Sequence, residues 1–388
     1  MKMKLNINNE NFFVIFLLMI NVLLFYIPVN ETKNNYEYYK SEVISVDNSE
    51  IQQFGIIKQG EQYVELKILN GEDKNKIIIL SNILIGKMEL DKNFKIGDKV
   101  LIEKNTNSNS LNYSIVDFYR ADSQILLILS FSIILILISG WTGVKSLLSF
   151  TTTILFLWKI MIPLFLKGYN PIIISLLIVS MLTFIIIFLV AGFNKKGLIA
   201  FLGAISGVLI TIIISELFSR PFYINGSVKP FSETLLYSGY YMLDLNKLFI
   251  SGIFLASSGA VMDISMDISA SMNEVKNKAK NINSKELIKS GLNVGKAVIG
   301  TMATTLLLAY SGGYATLLMA FMAKNTNEFA LININYISSE ILNIIVGSFG
   351  LVLTAPLTAI IGGFILSFEK KNIIKINKKA KNVSKLEL

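Results

Sequence analysis

The sequence predicts a polytopic α-helical membrane bundle of about eight spans, with a small extracytoplasmic all-β domain, a barrel or OB-like fold, after the first span. Composition is the first observation: 53% of the 388 residues are hydrophobic and only 16% are charged, which is far too apolar for a soluble protein of this length. The second is a series of long apolar segments separated by short polar loops. The third is one polar stretch near the N-terminus that is rich in β-forming runs and turn residues.

The absence of two residue types excludes most catalytic chemistry. The chain contains no Cys and no His, so disulfides, thiolate nucleophiles, histidine metal ligands and histidine acid–base catalysis are ruled out. We therefore expect no enzyme activity, no cofactor and no metal site. The net charge of +9 does not indicate nucleic acid, because the lysines collect in short loops and in the tail, where they set membrane topology.

Residues 1–29 are predicted to be an N-terminal membrane anchor. Lys2 and Lys4 precede an apolar run from Phe12 to Val29. The run could also be a signal peptide, but the region after it lacks an A-x-A-like cleavage site, which favours an uncleaved anchor. In both cases the next segment lies outside the cytoplasm.

Residues 30–122 are predicted to form the extracytoplasmic β-domain. Within Tyr63–Leu69 the residue types alternate with the period of two that a half-buried strand shows. Gly71 and Gly97 stand in turn sequences between such runs. No catalytic constellation occurs here, so a structural cap or a partner-docking module is the favoured role. The predicted strands are Glu42–Val46, Tyr63–Leu69, Lys76–Leu80 and Lys99–Ile102.

Residues 123–368 are predicted to form a seven-span helical membrane domain, and residues 369–388 a basic cytoplasmic tail. Each apolar segment approaches or exceeds the roughly 20 residues that cross a bilayer. The lysines follow the positive-inside rule if both termini are cytoplasmic, whereas one span fewer would put either the β-domain or the tail on the wrong side. The candidate spans are Gln124–Gly140, Leu147–Leu166, Pro171–Gly192, Leu198–Phe218, Leu248–Ile268, Val294–Met322 and Ile337–Leu366.

Two carboxylates, Asp263 and Asp267, stand in the inner half of one span. An ionised Asp at mid-bilayer costs about 3 kcal/mol at least, so such groups face a bundle interior, a water path or a partner charge. They continue a stripe of small residues at spacings of three and four, which lets a neighbouring helix approach closely. We expect Asp267 to pair with Lys296 and Asp263 to meet Gly300 and Thr304. The stripe consists of Gly252, Ala256, Gly259, Ala260, Asp263 and Asp267.

This polar set has a structural and a functional interpretation. It could be a structural ion pair beside a hydrogen-bonded Asp, or it could be a relay for a cation or proton. A hydrolase is disfavoured, because a serine protease would lack its His base and an aspartyl protease would need its two Asp on different helices.

Three further charges are candidates for structural ion pairs. Lys159 lies in the outer half of its span at a depth close to that of Glu216, so it is expected to pair with Glu216 or to snorkel outward. Glu340 is the alternative partner. Two segments also look irregular, Tyr310–Tyr314 and Ala355-Pro356, and each predicts either a broken transporter helix or an ordinary kink.

Several blocks in order resemble the YibE/F family of predicted bacterial multi-pass membrane proteins, over about Asn30 to the last span. The resemblance implies this architecture and a bacterial plasma membrane, and no particular activity. Thr304 departs from a common Asn, and Lys296 and Asn343 depart from a frequent Arg. The blocks are Asp117-Phe-Tyr-Arg120; Gly140 to Leu148; Ile162-Pro163 with Gly168-Tyr-Asn-Pro171; Gly259-Ala-Val-Met-Asp263 with Ile268-Ser-Ala-Ser271 and Glu274; Gly300-Thr-Met302 with Thr305 to Tyr310; Ser339-Glu340 with Val346-Gly-Ser348; and Ala355-Pro-Leu-Thr358.

Two functions remain open at this point. The first is a permease or transport-related protein of unknown substrate, with Asp263, Asp267, Lys296 and Thr304 along its polar path. The alternative is a non-transporting scaffold whose outer β-domain binds an envelope partner. The lipid bilayer is a partner in both, and a homo-oligomer is a further expectation. A water-accessible cavity reaching Asp263 would favour the permease, and a sealed, paired carboxylate the scaffold.

Overall fold

The computed structural model describes residues 9–28, 36–106 and 113–383, without the side chains of 9–10 and 368–383. The chain divides into two compact units, the first Asn30–Gly140 and the second Met1–Val29 with Trp141–Leu388. Lys2, Lys4 and the end of the predicted basic tail, residues 384–388, lie outside the described residues.

The first unit contains a five-stranded antiparallel sheet. Its strands are β1 (Tyr36–Phe54), β2 (Ile57–Ile68), β3 (Ile77–Ile85), β4 (Lys99–Asn105) and β5 (Tyr113–Phe118). Their order is β3-β2-β1-β4-β5, so the long β1 pairs with β2 on one side and with β4 on the other. The edge strands also approach each other, since Lys92, just after β3, donates to the carbonyl of Val116 in β5. The sheet therefore curves into a half-barrel.

Residue alternation explains which face of the sheet is buried. Val64, Leu66 and Ile68 are fully buried and their neighbours in β2 are partly exposed, which confirms the predicted strand. A polar pair also lies in this core: the buried Asn82 donates to the buried Gln62 at 3.1 Å. The backbone N–H of Phe94 donates to the same Gln62 oxygen at 3.0 Å, so these amides fix the connection between β3 and β4 without leaving that acceptor unsatisfied.

Helix α2 (Ala121–Phe156) follows the sheet and contains one break. Gly140 has φ 54° and ψ −131°, which a residue with a side chain adopts only under strain. The apolar segment Ala121–Leu166 has 46 residues and would reach about 69 Å as one straight helix, more than twice the roughly 30 Å of a bilayer core. The break at Gly140 divides it where the two compact units meet in sequence.

The second unit is helical. Six described helical segments are long and apolar enough to cross a membrane, and Asn11–Tyr26 is a shorter apolar helix. Helix α8 (Ser284–Ala323) continues through Tyr310–Tyr314 and helix α10 (Asn335–Val383) continues through Pro356, so neither of the two irregular segments is unwound. The elements besides α2 are α1 (Asn9–Tyr26), a π-helical turn (Leu157–Met161), α3 (Ile162–Leu166), α4 (Pro171–Ala191), α5 (Lys195–Ser219), a 3-10 turn (Gly226–Val228), α6 (Ser232–Tyr237), α7 (Leu245–Lys278), α8 (Ser284–Ala323), α9 (Glu328–Asn333) and α10 (Asn335–Val383).

Glycines and threonines set the close packing of α5 against α10. A methyl group added to Gly207 would lie 1.8 Å from the Thr354 hydroxyl oxygen, and one added to Gly350 would lie 1.9 Å from that of Thr211. Thr354 donates to the carbonyl of Gly350 at 2.6 Å and Thr211 to that of Gly207 at 2.9 Å. The buried hydroxyls are therefore satisfied within their own helices, and the small residues let the backbones approach.

Candidate functional site: charged groups of the membrane unit

Helix α7 has a buried serine face and an exposed acidic face. Ser251, Ser258 and Ser265 recur every seven residues and are buried, where α7 packs against α5 and α10. Asp263 and Asp267 are exposed on the other side of the helix. The acids share this exposed side with the small residues. The sequence predicts that a neighbouring helix of this chain covers them, and within the described helical unit no helix does so, because the serine face occupies the interior of the bundle.

The predicted partners on α8 lie at the matching depth. A methyl group added to Gly291 would contact Met272, and one added to Gly295 would contact Ile268. Since the two helices run in opposite directions along their contact, Asp267 lies level with Lys296 and Asp263 with Gly300. Equal depth does not by itself mean that these side chains are in contact.

Among the described residues no ion pair joins Asp267 to Lys296, so the expected pair is not formed within the chain. Thr304 donates to the carbonyl of Gly300 in its own helix at 3.1 Å, and so it does not meet Asp263. Added methyl groups at Gly252, Gly259 and Gly300 would find nothing within 4 Å. We call this exposed set the α7–α8 face: Gly252, Ala256, Gly259, Asp263, Asp267, Lys296, Gly300 and Thr304.

Glu340 shows the opposite arrangement. Its side chain is only 8% exposed, and Lys229 donates to it at 2.6 Å. Asn343 donates to its second oxygen at 3.2 Å. The Lys229 ammonium also lies 5.3 Å from the ring centre of Phe249. Glu340 is therefore neutralised and hydrogen-bonded inside the chain, as a buried carboxylate must be.

Two polar atoms beside this pair have no protein partner in the described part of the chain. They are the Asn343 side-chain oxygen and the Tyr310 hydroxyl, both buried. Tyr310 also interacts electrostatically with Glu340. The cluster around Glu340 therefore retains some hydrogen-bonding capacity that this chain does not use.

Lys159 forms neither of its predicted ion pairs. Its ammonium donates to the backbone carbonyl of Ile27, after the end of α1, at 2.7 Å, and Glu216 is exposed. Lys159 stands in the π-helical turn just before Pro163, which cannot donate to the carbonyl four residues back. The sequence did not predict Ile27 as the partner of Lys159, because Ile27 contributes a backbone atom. It did not predict Lys229 as the partner of Glu340, because Lys229 belongs to a loop with no periodic pattern. The position of Glu340 close to the start of α10 could have predicted this pair, because a carboxylate near a membrane-facing helix end needs a cation and an adjacent loop can supply one.

Among the described residues, four of the pockets lie at the end of the bundle that carries the long loops. Their volumes are about 390, 120, 600 and 270 Å³. Lys229 and Asn335 line the first, and Asn335 also lines the third. None of these four pockets is lined by Asp263 or Asp267, so they do not provide the cavity that a path through the middle of the bundle would show.

The β unit carries an ion-pair cluster and an apolar row. Lys104 donates to Asp73 at 2.5 Å and Tyr113 donates to the same oxygen at 2.7 Å. The Lys104 hydrogen bond, followed by that of Tyr113, holds the pKa of Asp73 below its usual range. The apolar row lies on the edge strand β3 and consists of four exposed isoleucines: Ile77, Ile79, Ile83 and Ile85.

Comparison with known families covers both units. A family model described as YibE/F-like protein matches residues 127–368, and one described as YibE/F family N-terminal domain matches residues 34–118. The chain belongs to the YibE/F family. Membership confirms the resemblance seen in the sequence, and together with the apolar helices it identifies this YibE/F protein as a membrane protein. No curated protein and no solved structure matches the chain.

Proposed function

We propose that this YibE/F protein is a permease in which the α7–α8 face borders the path of a small solute or ion. The observation that carries the proposal is the exposure of two carboxylates and one ammonium group on membrane-length helices. Charged groups inside a span are costly and are characteristic of ion and substrate pathways. The roles proposed are a cation or proton site at Asp263 and Asp267, with Lys296 as the balancing charge and Thr304 as a hydroxyl lining group.

The proposal includes an eight-span topology with both termini in the cytoplasm of a bacterial cell. The break at Gly140 supports it, because the segment Ala121–Leu166 is long enough for two crossings. The apolar helix Asn11–Tyr26 supplies the remaining crossing. In this topology residues 30–122 are extracytoplasmic and form a partly open OB-like barrel, for which the strand order β3-β2-β1-β4-β5 is the support.

One observation favours the scaffold alternative. The row of exposed isoleucines on β3 is an apolar edge on a sheet, and an uncovered edge strand pairs readily with another chain. A β-domain that holds an envelope partner would use such an edge. The scaffold does not need Asp263 to meet water, and this requirement separates the two functions.

Thiol labelling tests the permease, because the native chain has no Cys. Asp263→Cys in intact membranes should react with a charged, membrane-impermeant maleimide, since a permease path admits water to this level. Ser265→Cys is the buried control on the same helix and Ile213→Cys is the exposed apolar control on α5; both should stay unlabelled. If Asp263→Cys reacts no faster than Ile213→Cys, there is no water path at this face and the scaffold is retained.

A further inference from the structure

Within the unit that contains α7 and α8, the described residues do not cover the α7–α8 face. The opposite side of α7 is occupied by α5 and α10. In the most apolar stretch of α8, only 6% of the residues are buried. Hydrocarbon chains would cover an ionised Asp263 at mid-bilayer at a cost of about 3 kcal/mol, and Asp267 and Lys296, closer to the ends of their predicted spans, at a smaller cost. A polar partner therefore suits this face better than lipid does.

We propose that the cover is a second copy of this chain, so that the α7–α8 face is the interface of a homodimer. The argument is charge complementarity at matched depth. Two copies inserted in the same orientation are related by a twofold axis along the membrane normal, and only groups at equal depth can then meet. Asp267 and Lys296 lie at equal depth, as the contacts of Gly295 with Ile268 and of Gly291 with Met272 show.

The twofold axis makes the pairing reciprocal. Asp267 of one copy pairs with Lys296 of its partner, and Lys296 of the first pairs with Asp267 of the second, so one interface contains two ion pairs. Asp263 then meets the open backbone at Gly300 and the hydroxyl of Thr304 in the other copy. A partner with a different sequence would need its own acid and base at these levels, whereas a second copy supplies both.

The small residues of the α7–α8 face suit such an interface. Gly252, Ala256 and Gly259 leave the exposed side of α7 without bulky side chains, and nothing of this chain fills the space beside the two glycines. Association of helices in a membrane relies on this close approach, because no hydrophobic driving force acts between helices surrounded by lipid. The inference does not require transport and stands if the protein moves no solute; if the protein is also a permease, the water path to Asp263 runs along the interface between the two copies.

Charge reversal in trans tests the proposal on the full-length chain. Two differently tagged copies, one Asp267→Lys and the other Lys296→Glu, are co-expressed and purified from membranes through one tag. In the mixed dimer one interface pair keeps its original signs and the other pair is restored with its signs reversed. A dimer of either variant with itself places like charges opposite each other. We expect the mixed pair to be recovered at least about tenfold over the same-variant pairs, which corresponds to about 1.4 kcal/mol.

Controls keep this test decisive if a single variant is poorly folded. The variant Asp267→Lys with Lys296→Asp in one chain restores both pairs in its own dimer and should assemble as the wild type does. The dimer proposal is overturned if the wild type is monomeric in nanodiscs, if the single variants self-associate as well as they form the mixed pair, or if a different protein is cross-linked to this face in native membranes.

Discussion

Two groups of charges in the membrane unit differ in where their partners come from. Glu340 is enclosed by its own chain and receives an ammonium group at 2.6 Å from Lys229. Asp263 and Asp267 are exposed, and the depth-matched Lys296 forms no ion pair with them among the described residues. The enclosed Glu340–Lys229 pair holds a loop to a helix and has a structural role. The exposed acids have no partner charge in a single copy. Exposed charges at membrane depth therefore indicate a partner molecule or a solute path.

The largest effect is expected from filling the packed core. Gly207→Leu places a side chain where the Thr354 hydroxyl lies 1.8 Å from the first added carbon, so we expect a loss of more than about 3 kcal/mol and little folded protein. Gly259→Leu is the matched control on the exposed face and should keep the wild-type unfolding temperature in detergent. Equal losses from both would show that α7 is not oriented as described.

The Glu340 pair should respond asymmetrically. Lys229→Met leaves a carboxylate that is only 8% exposed without its cation, at a cost of about 2 kcal/mol, which is less than for a fully buried pair because Lys229 itself is 36% exposed. Glu340→Gln leaves an ammonium group that is already 36% exposed, so it should cost about 1 kcal/mol. The unfolding temperature of each purified variant measures this, and the double variant should be more stable than Lys229→Met alone. If Lys229→Met leaves the unfolding temperature unchanged, Glu340 does not depend on Lys229 and the contrast with the exposed acids is wrong.

In the β unit the Asp73 pair predicts a pH dependence. The pKa of Asp73 is lowered in the folded state by the hydrogen bond from Lys104, so the stabilisation is complete above the usual Asp pKa of about 3.9 and is lost as the pH falls through the folded value. Asp73→Asn should therefore speed hydrogen exchange in β4 and β5 at neutral pH and make no difference in stronger acid. If the difference in exchange rate between the wild type and Asp73→Asn grows as the pH falls, the pKa of Asp73 is not lowered by this pair and the prediction is wrong.

The smallest effect on stability is expected at the exposed acids. Asp263→Asn and Asp267→Asn remove charges that form no ion pair or hydrogen bond with another described residue of their own chain, so the unfolding temperature of the monomer in detergent should change little. The same substitutions should weaken self-association in nanodiscs. If Asp263→Asn lowers the unfolding temperature as far as Lys229→Met does, the carboxylate is paired inside the chain.

Local patterns in the sequence predicted the membrane class and the β-rich insert correctly, because composition and alternation are local signals. They did not predict which side of α7 faces inward. The small residues next to Asp263 and the serines at 251, 258 and 265 form equally regular stripes, and only the packing of α5 and α10 decides between them. Lys229 was missed for a related reason, since its contact joins residues 111 apart in the chain.

Cysteine cross-linking of neighbouring positions on α7 tests the central claim most directly. Gly252→Cys, Ala256→Cys and Gly259→Cys lie on the exposed side, whereas Ser251→Cys and Ser258→Cys lie on the buried side. A disulfide requires Cα atoms within about 7 Å of each other. In the proposed dimer α7 of one copy faces α8 of the other, so each α7 cysteine is tested against Thr304→Cys in a co-expressed, differently tagged copy. After mild oxidation in native membranes, the account predicts a covalent heterodimer with Gly259→Cys, which lies level with Thr304, and none with Ser258→Cys. No heterodimer from any exposed position, or an equal yield from Ser258→Cys, would contradict it.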